Sequence, residues 1–173
     1  MTSTLKTDKI EGVTASGTVQ MPAGHVIQTL SSTKLSSQEI SVSSLTMVDI
    51  SDLSVSITPK FSSSKVLVTV HVYVSYLYQG LLRLMRDSTR IPNNTQGSSE
   101  SYRGFAPLRQ GFAGEGYMYS FTFLDSPSTT SATTYKVQGT NNGDTTNTLY
   151  INRLGENATY SGTSSITVQE IAQ

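Results

Sequence analysis

The segment spanning residues 66–78 alternates strictly between two kinds of side chain. It reads V-L-V-T-V-H-V-Y-V-S-Y-L-Y, and each of its even positions is β-branched or aromatic. A period of two places those side chains on one face of an extended strand, and stiff β-branched residues suit a buried, pleated surface. We therefore predict a long strand whose even face lies in the core of an antiparallel sandwich.

The odd face of the same strand is mixed and is typical of neither core nor open solvent. It carries Leu67, Thr69, His71, Tyr73, Ser75 and Leu77. The strand is also longer than the roughly five or six residues usual for a β-strand, which suits a tall sheet or one that enters a subunit interface. We therefore take Leu67, His71 and Tyr73 as candidates for a subunit interface, with a hydrogen-bonded interface or core position as the expected role of His71.

The rest of the chain from residue 25 onward shows further short strands separated by turns. They are expected at 25–30, within 39–50, at 53–57, around Leu82 and Leu84, at 117–123, and around Tyr135, Leu149 and Ile166. Gln79-Gly80 is predicted as a turn between two of them. No segment has a convincing helical pattern, so the sequence predicts an all-β, antiparallel, jelly-roll-like β-sandwich over residues 25–173.

Residues 1–24 form a polar segment that differs from the rest of the chain. Three glycines interrupt any helix in this segment. Its apolar side chains are few and scattered, and they are Leu5, Ile10, Val13, Val19 and Met21. Such a segment cannot bury enough surface to fold alone. We predict an extended N-terminal arm that docks on a partner, and these five residues are the candidates for that contact.

Charge is sparse and balanced. The 173 residues include 12 basic and 12 acidic side chains, and only 14% of positions are charged, against about 25% in an average globular chain. This balance favours neither nucleic acid nor an anionic membrane as a partner. The first thirty residues lack a signal-peptide pattern, and no stretch is apolar enough for a membrane helix. The sequence thus predicts a soluble protein made in a cytoplasm, with surfaces suited to packing against copies of itself.

Few residues are suited to catalysis or metal binding. The chain has no cysteine and two histidines, with no metal-ligand spacing and no Gly-x-Ser-x-Gly motif. Glycoside hydrolysis needs two carboxylates across a groove, and surface solvation is the alternative role for each candidate. The candidates are Asp49, Asp52, Asp87, Glu100, Glu115, Asp125 and Glu170. We predict a protein that is not an enzyme and has no cofactor, with a glycan-degrading enzyme as the minor alternative.

Residues 87–116 are the longest stretch without clear periodicity and are predicted as a loop. Embedded in it are aromatic and arginine side chains of the kind favoured at recognition surfaces. They are Tyr102, Arg103, Phe105, Arg109 and Phe112. Two interpretations stay open: the residues contact a glycan or protein partner, as in a carbohydrate-binding module, or the loop folds its aromatic rings into the core.

Three stretches of the chain resemble a family of small phage virion proteins, especially from phages of cyanobacteria and other aquatic bacteria. The opening M-T-S-T-L-K-T-D-K-I-E-G-V-T-A-S-G-T-V-Q-M-P-A-G-H-V-I-Q is similar to the start of their tail-fibre and head-fibre proteins. The middle stretch I-T-P-K-F-S-S-S-K-V-L-V-T-V resembles a strand pair of their C-terminal sandwich, and the final S-S-I-T-V-Q-E-I-A-Q resembles its closing strand.

The resemblance implies a trimeric virion protein that is mounted by its N-terminal segment on capsid, tail or baseplate proteins. The sandwich would then point outward, where a host-surface glycan is a possible receptor. The chain has no coiled-coil or triple-helical shaft, so a stubby fibre or decoration protein is expected instead of a long fibre. A cement protein that stabilises the capsid without touching the host is the alternative within the same particle.

Overall fold

The structure, a computed structural model, describes residues 22–76, 79–95, 102–109, 115–141, 147–155 and 157–173. Within these ranges the chain forms eleven β-strands and no α-helix. The strands are β1 (Val26–Lys34), β2 (Gln38–Ile40), β3 (Val48–Ile57), β4 (Lys65–Tyr76), β5 (Gln79–Arg86), β6 (Thr89–Ile91), β7 (Ala106–Arg109), β8 (Gly116–Asp125), β9 (Thr133–Thr140), β10 (Leu149–Ile151) and β11 (Ser164–Ile171). The predicted all-β class is confirmed.

The strands form two antiparallel sheets. In sheet A the long strands lie in the order β1-β11-β4-β8, and the short β10 and β2 extend the sheet beside the end of β4. Sheet B has the order β3-β9-β5, with β6 and β7 both paired to the far edge of β5. Successive long strands alternate between the two sheets, which is the jelly-roll arrangement. The predicted jelly-roll-like sandwich is confirmed.

The even face of β4 forms the centre of the core. Its valines from Val66 to Val74 have no exposed surface, and Tyr76 is 5% exposed. They belong to one hydrophobic cluster with buried residues of sheet B, including Ile57, Leu82, Leu84, Tyr135 and Val137. The predicted inward face of the long strand is therefore confirmed as far as Tyr76. Leu77 and Tyr78, which the prediction included, lie outside the described residues.

Three local features differ from the sequence predictions. β1 continues to Lys34 instead of ending at Leu30, because it pairs with β11 along its whole length. Gln79 and Gly80, predicted as a turn, begin β5 and pair with β7. The segment 87–116, predicted as a loop, contributes β6 and β7. Hydrogen bonding to β5 specifies these two short strands, which have no apolar alternation of their own.

A buried ion pair joins sheet A to sheet B. Arg86 Nη1 on β5 donates to both carboxylate oxygens of Asp125 on β8, at 3.0 and 2.9 Å. Tyr135 Oη on β9 donates to Asp125 Oδ2 at 2.7 Å. Burial and this hydrogen bond raise the pKa of Tyr135 well above its ordinary value. The carboxylate of Asp125 therefore connects three strands in two sheets.

A second buried carboxylate holds the turn between β3 and β4. Glu170 on β11 has no exposed surface. Its Oε1 accepts hydrogen bonds from the backbone N–H groups of Lys60 and Phe61, at 2.7 and 3.3 Å, and its Oε2 accepts from Gln28 Nε2 at 2.6 Å. Because Glu170 accepts hydrogen bonds from two backbone N–H groups of the turn, it fixes the path of the chain between β3 and β4.

The two ends of the sandwich differ. At one end, the pairing of β1 with β11 continues beyond β1, where Gly24 N donates to Ala172 O at 2.8 Å. The first described residue, Pro22, lies at this end, and residues 1–21, which hold the five arm candidates, lie outside the described residues. Toward the opposite end, where β4 ends at Tyr76, lies the β2–β3 connection, because Ile40 at the end of β2 is opposite Leu149, which pairs with Tyr76. The β10–β11 connection lies on the same side, where Asn152 N donates to Tyr73 O at 2.9 Å. We call these the arm end and the distal end.

Candidate functional site

The outer face of sheet A carries a regular array of twelve side chains from four strands, which we call the uncharged face. The strand registers align them in three rows of four. The rows are Thr29–Gln169–Leu67–Leu124, Ser31–Thr167–Thr69–Thr122 and Thr33–Ser165–His71–Ser120. All twelve side chains are exposed or half-buried. The middle row consists entirely of hydroxyl-bearing residues, so hydroxyl groups cross the whole width of the sheet.

The uncharged face contains no lysine, arginine, aspartate or glutamate. In this chain 14% of all residues are charged, so about two would be expected among twelve. The outer face of sheet B shows the ordinary pattern, with Asp49, Arg83 and Lys136 on neighbouring strands. The depletion of charge is therefore specific to one face of the molecule, and such depletion is typical of the core of protein interfaces.

Polar side chains on the uncharged face bond sideways to one another. Three cross-strand contacts join neighbouring strands within the rows. They are Ser31 Oγ to Thr167 Oγ1 at 3.0 Å, His71 Nδ1 to Ser120 Oγ at 2.8 Å, and Gln169 Nε2 to Thr29 Oγ1 at 3.3 Å. Polar groups that already have partners lose less free energy when water is removed. The face is thus better suited to being covered than its polar composition alone suggests.

Two of the three residues predicted for a subunit interface lie on the uncharged face. Leu67 is half-buried and lies directly across from Leu124, which is 53% exposed, and His71 is exposed. Tyr73 is different, because its own chain covers it. A Cβ atom on Gly162 would lie 2.6 Å from Cγ of Tyr73, and the backbone of Gly116 underlies the tyrosine hydroxyl. Tyr73 is therefore packed between two glycines at the distal edge of the face.

Replacing Gly162 with alanine is expected to destabilise the distal end. The added methyl group would meet Cγ and Cβ of Tyr73, which lie too close to the backbone to move freely. Overpacking of this kind lowers the free energy of unfolding by about 1–3 kcal/mol. Urea unfolding measures the loss, and Thr163→Ala at the exposed neighbouring position is the control. An unchanged midpoint for Gly162→Ala would show that Tyr73 is not held as described.

The residues predicted for loop recognition differ in exposure where the structure describes them. Tyr102 is 51% exposed, whereas Arg103 is half-buried. Phe105 is also half-buried, and its ring stacks on that of Phe121 with centroids 4.8 Å apart. Arg109 is the last residue of β7. Phe112, the fifth residue of this set, lies outside the described residues, so the contact between loop and core is shown for Phe105.

Phe105 belongs to an aromatic row on the inner side of β8. Phe121 and Phe123 stack with centroids 6.3 Å apart, and Tyr119 Oη lies 3.0 Å from Tyr76 Oη. Burial and the hydrogen bond to Tyr76 raise the pKa of Tyr119. Phe105, Tyr119, Phe121 and Phe123 are partly buried and pack against the hydrophobic core, which favours a structural role for Phe105.

Comparison with models of protein families and with curated proteins finds no match to this chain. Among the described residues, no three histidine or acidic side chains are grouped so that they could hold a metal ion. No helix within those same ranges is long and apolar enough to cross a membrane. Function is therefore inferred from the fold, the surfaces and the sequence resemblance.

Several carboxylates considered for glycoside hydrolysis have structural partners. Asp125 and Glu170 are buried in the bonds described above. Asp49 accepts hydrogen bonds from Lys136 and Gln138 at 2.8 and 2.7 Å. Desolvation raises the pKa of Asp49, but the two hydrogen bonds outweigh it, and the pKa lies below its ordinary value. These contacts account for the three side chains without a catalytic role.

A surface group at the distal end was not predicted from the sequence. Arg153 forms an ion pair with Glu39, and its guanidinium lies 4.7 Å from the ring centroid of Tyr150. Tyr160, on the same β10–β11 connection, is 63% exposed. Because Glu39 and Tyr150 come together only through the β2–β10 pairing, sequence spacing gives no signal for this group.

Proposed function

We propose that this protein is a structural component of a bacteriophage virion. In this proposal it is a homotrimeric fibre or appendage, mounted on capsid, tail or baseplate proteins through residues 1–24, and it contributes to recognition of the host surface. The observation that supports the proposal best is the difference between the two ends of the sandwich. An arm that leads from one end and the β10–β11 connection of residues 152–163 toward the other end suit a protein that is anchored at one end and exposed at the other.

The positions of the resembling stretches add support. The opening stretch runs into β1, the middle stretch covers the end of β3 and the first half of β4, and the final stretch contains β11. These pieces are far apart in the sequence, yet β1, β11 and β4 are neighbours in sheet A. The resemblance therefore corresponds to one continuous structural unit plus the arm, as expected for a shared virion module.

The distal end supplies the surface that would meet the host. It carries Tyr150, Arg153 and the exposed Tyr160, and aromatic and arginine side chains are favoured at recognition surfaces. In this proposal the distal group takes the role that the sequence prediction gave to the loop residues around Tyr102. A glycan or a protein on the host envelope is the partner it would contact.

Deleting residues 1–24 from the protein in the phage that encodes it is expected to abolish its incorporation into particles. Purified particles are probed with an antibody to the sandwich, and circular dichroism of the purified truncated protein checks its folding. Tyr160→Ala in the full chain is the matched control, and it is expected to be incorporated normally with reduced adsorption. Particles that carry the truncated protein at the normal level would refute the anchoring role.

A cement protein remains the second candidate, and the uncharged face is the observation that favours it. A broad surface without charge suits contact with capsid subunits as well as contact with copies of the same chain. This function predicts that particles lacking the protein lose heat resistance while adsorption is unchanged. The opposite pattern, normal heat resistance with impaired adsorption, supports the appendage.

A further inference from the structure

We infer that the uncharged face is the subunit interface and that three copies turn this face toward a common threefold axis. This inference rests on the proposed function for the number of copies, and it adds which surface they share. The occupant of the face is thus a second copy of this chain. Three observations support the assignment: the charge pattern, the width of the face and the free edge of β8.

The uncharged face is complementary to itself in charge. An interface between identical subunits brings like residues together, so any charged side chain near the axis would meet copies of itself. Like charges in a surface removed from water are strongly unfavourable, because both repulsion and desolvation oppose them. None of the twelve positions carries such a charge. Lys65 lies just beyond the array at the arm end, where its Nζ donates to Ser126 Oγ at 2.7 Å.

The width of the face fits closure by three copies. Four strands spaced by about 4.8 Å make a side about 19 Å wide, and a triangle with sides of that length has its centre about 5.5 Å from each side. Side chains of facing sheets fill about 5 Å on each side, since such sheets pack about 10 Å apart. Three copies would therefore fill the centre with one layer of side chains each. Four copies would leave a central gap of several ångströms.

The edge strand β8, beside the uncharged face, also favours contact with a neighbouring copy. Among the described strands β8 pairs only with β4, so its other edge is free within those ranges. Its ten residues include no proline and no charged residue before Asp125, whereas isolated edge strands usually carry such features to prevent association. Met118 and Leu124 on its outer side are each 53% exposed. A neighbouring copy at this corner would bury both side chains and cover the free edge.

The test is a charge placed at the centre of the face. Light scattering of the wild-type protein should give three times the protomer mass of 18.7 kDa. Thr69→Lys should give a folded monomer, because three lysines would meet near the axis. Thr69→Ser keeps the hydroxyl and should stay trimeric. Ser56→Lys adds the same charge at an exposed position on sheet B and should also stay trimeric.

A second variant guards against a folding defect in the first. Leu124→Lys lies at the exposed corner and should also reduce the mass to one protomer, with an unchanged circular dichroism spectrum. The inference is overturned if the wild-type protein is a monomer or dimer, or if both lysine variants remain trimeric. Incorporation into particles tests the anchoring arm separately. A wild-type monomer that still needs residues 1–24 for incorporation would refute the interface and leave the virion function in place.

Discussion

Replacing Asp125 with alanine should lower the free energy of unfolding by about 3 kcal/mol. Removing one partner of a buried ion pair leaves the other charge without compensation, at about 3–5 kcal/mol. The lower end applies because the side chain of Arg86 keeps 26% of its surface exposed. The hydroxyl of Tyr135 would lose its acceptor as well. β8 would then lose its side-chain hydrogen bonds through Asp125 to β5 and β9 of sheet B, which stay paired with each other through Arg86 and Tyr135.

Urea unfolding at a fixed protein concentration measures this effect, since assembly makes the midpoint depend on concentration. Asp49→Ala is the matched control. The Asp49–Lys136 pair has a similar distance of 2.8 Å, but Asp49 is 55% exposed, and exposed pairs contribute about 0–1 kcal/mol. Equal losses for the two variants would contradict a special role of the buried pair.

Replacing Glu170 with alanine is the second change with a large expected effect. The backbone N–H groups of Lys60 and Phe61 would lose their acceptor beneath the turn between β3 and β4. A buried donor without a partner destabilises by about 1–3 kcal/mol. Because Lys60 is exposed and Phe61 is half-buried, the lower part of that range applies, and the two together should lower the free energy of unfolding by about 2–4 kcal/mol. Glu170→Gln keeps one acceptor oxygen and should lose less.

Amide hydrogen exchange distinguishes this local effect from a general loss of stability. In Glu170→Ala, the exchange rates of the amides of residues 60 and 61 should increase, relative to the wild-type protein, more than those of the amides of β9 in sheet B. Glu39→Ala removes a carboxylate that is 55% exposed and pairs with Arg153 at the distal end, so it should leave these amides unchanged. Uniform acceleration across the sandwich would argue against Glu170 as the support of this turn.

Period-two alternation was sufficient to predict the long strands, and it failed where strands are short. β4 and β8 each place apolar or aromatic side chains on one face over ten or more residues, so their inner faces follow from the pleat. β6 and β7 have three and four residues. Their existence depends on hydrogen bonding to β5, a partner distant in the chain, and such pairings leave little trace in local sequence.

The candidate interface was predicted in part for the same reason. Alternation alone places Leu67 and His71 on the outer side of β4. The flanking residues of the array, such as Thr167 and Thr122, become visible only when β11 and β8 are known to pair with β4. Tyr73 shares the same alternation, yet the glycines that cover it come from other parts of the chain. Local alternation predicts the outer face of β4, whereas the uncharged face as a whole follows from the pairing of β4 with β11 and β8.

The place of β11 in sheet A affects the order in which this protein can fold during synthesis. β11 lies between β1 and β4, although it follows every other described strand in the chain. Until the ribosome has made β11, β1 has no strand partner and one edge of β4 stays largely open. β11 begins 130 residues after the end of β1, so at about 5–20 residues per second the first strand waits roughly 7–26 s for its neighbour. A nascent chain of this protein therefore keeps β1 unpaired and one edge of the valine-rich β4 open until β11 is made, and it depends on fast completion or on chaperones to avoid aggregation.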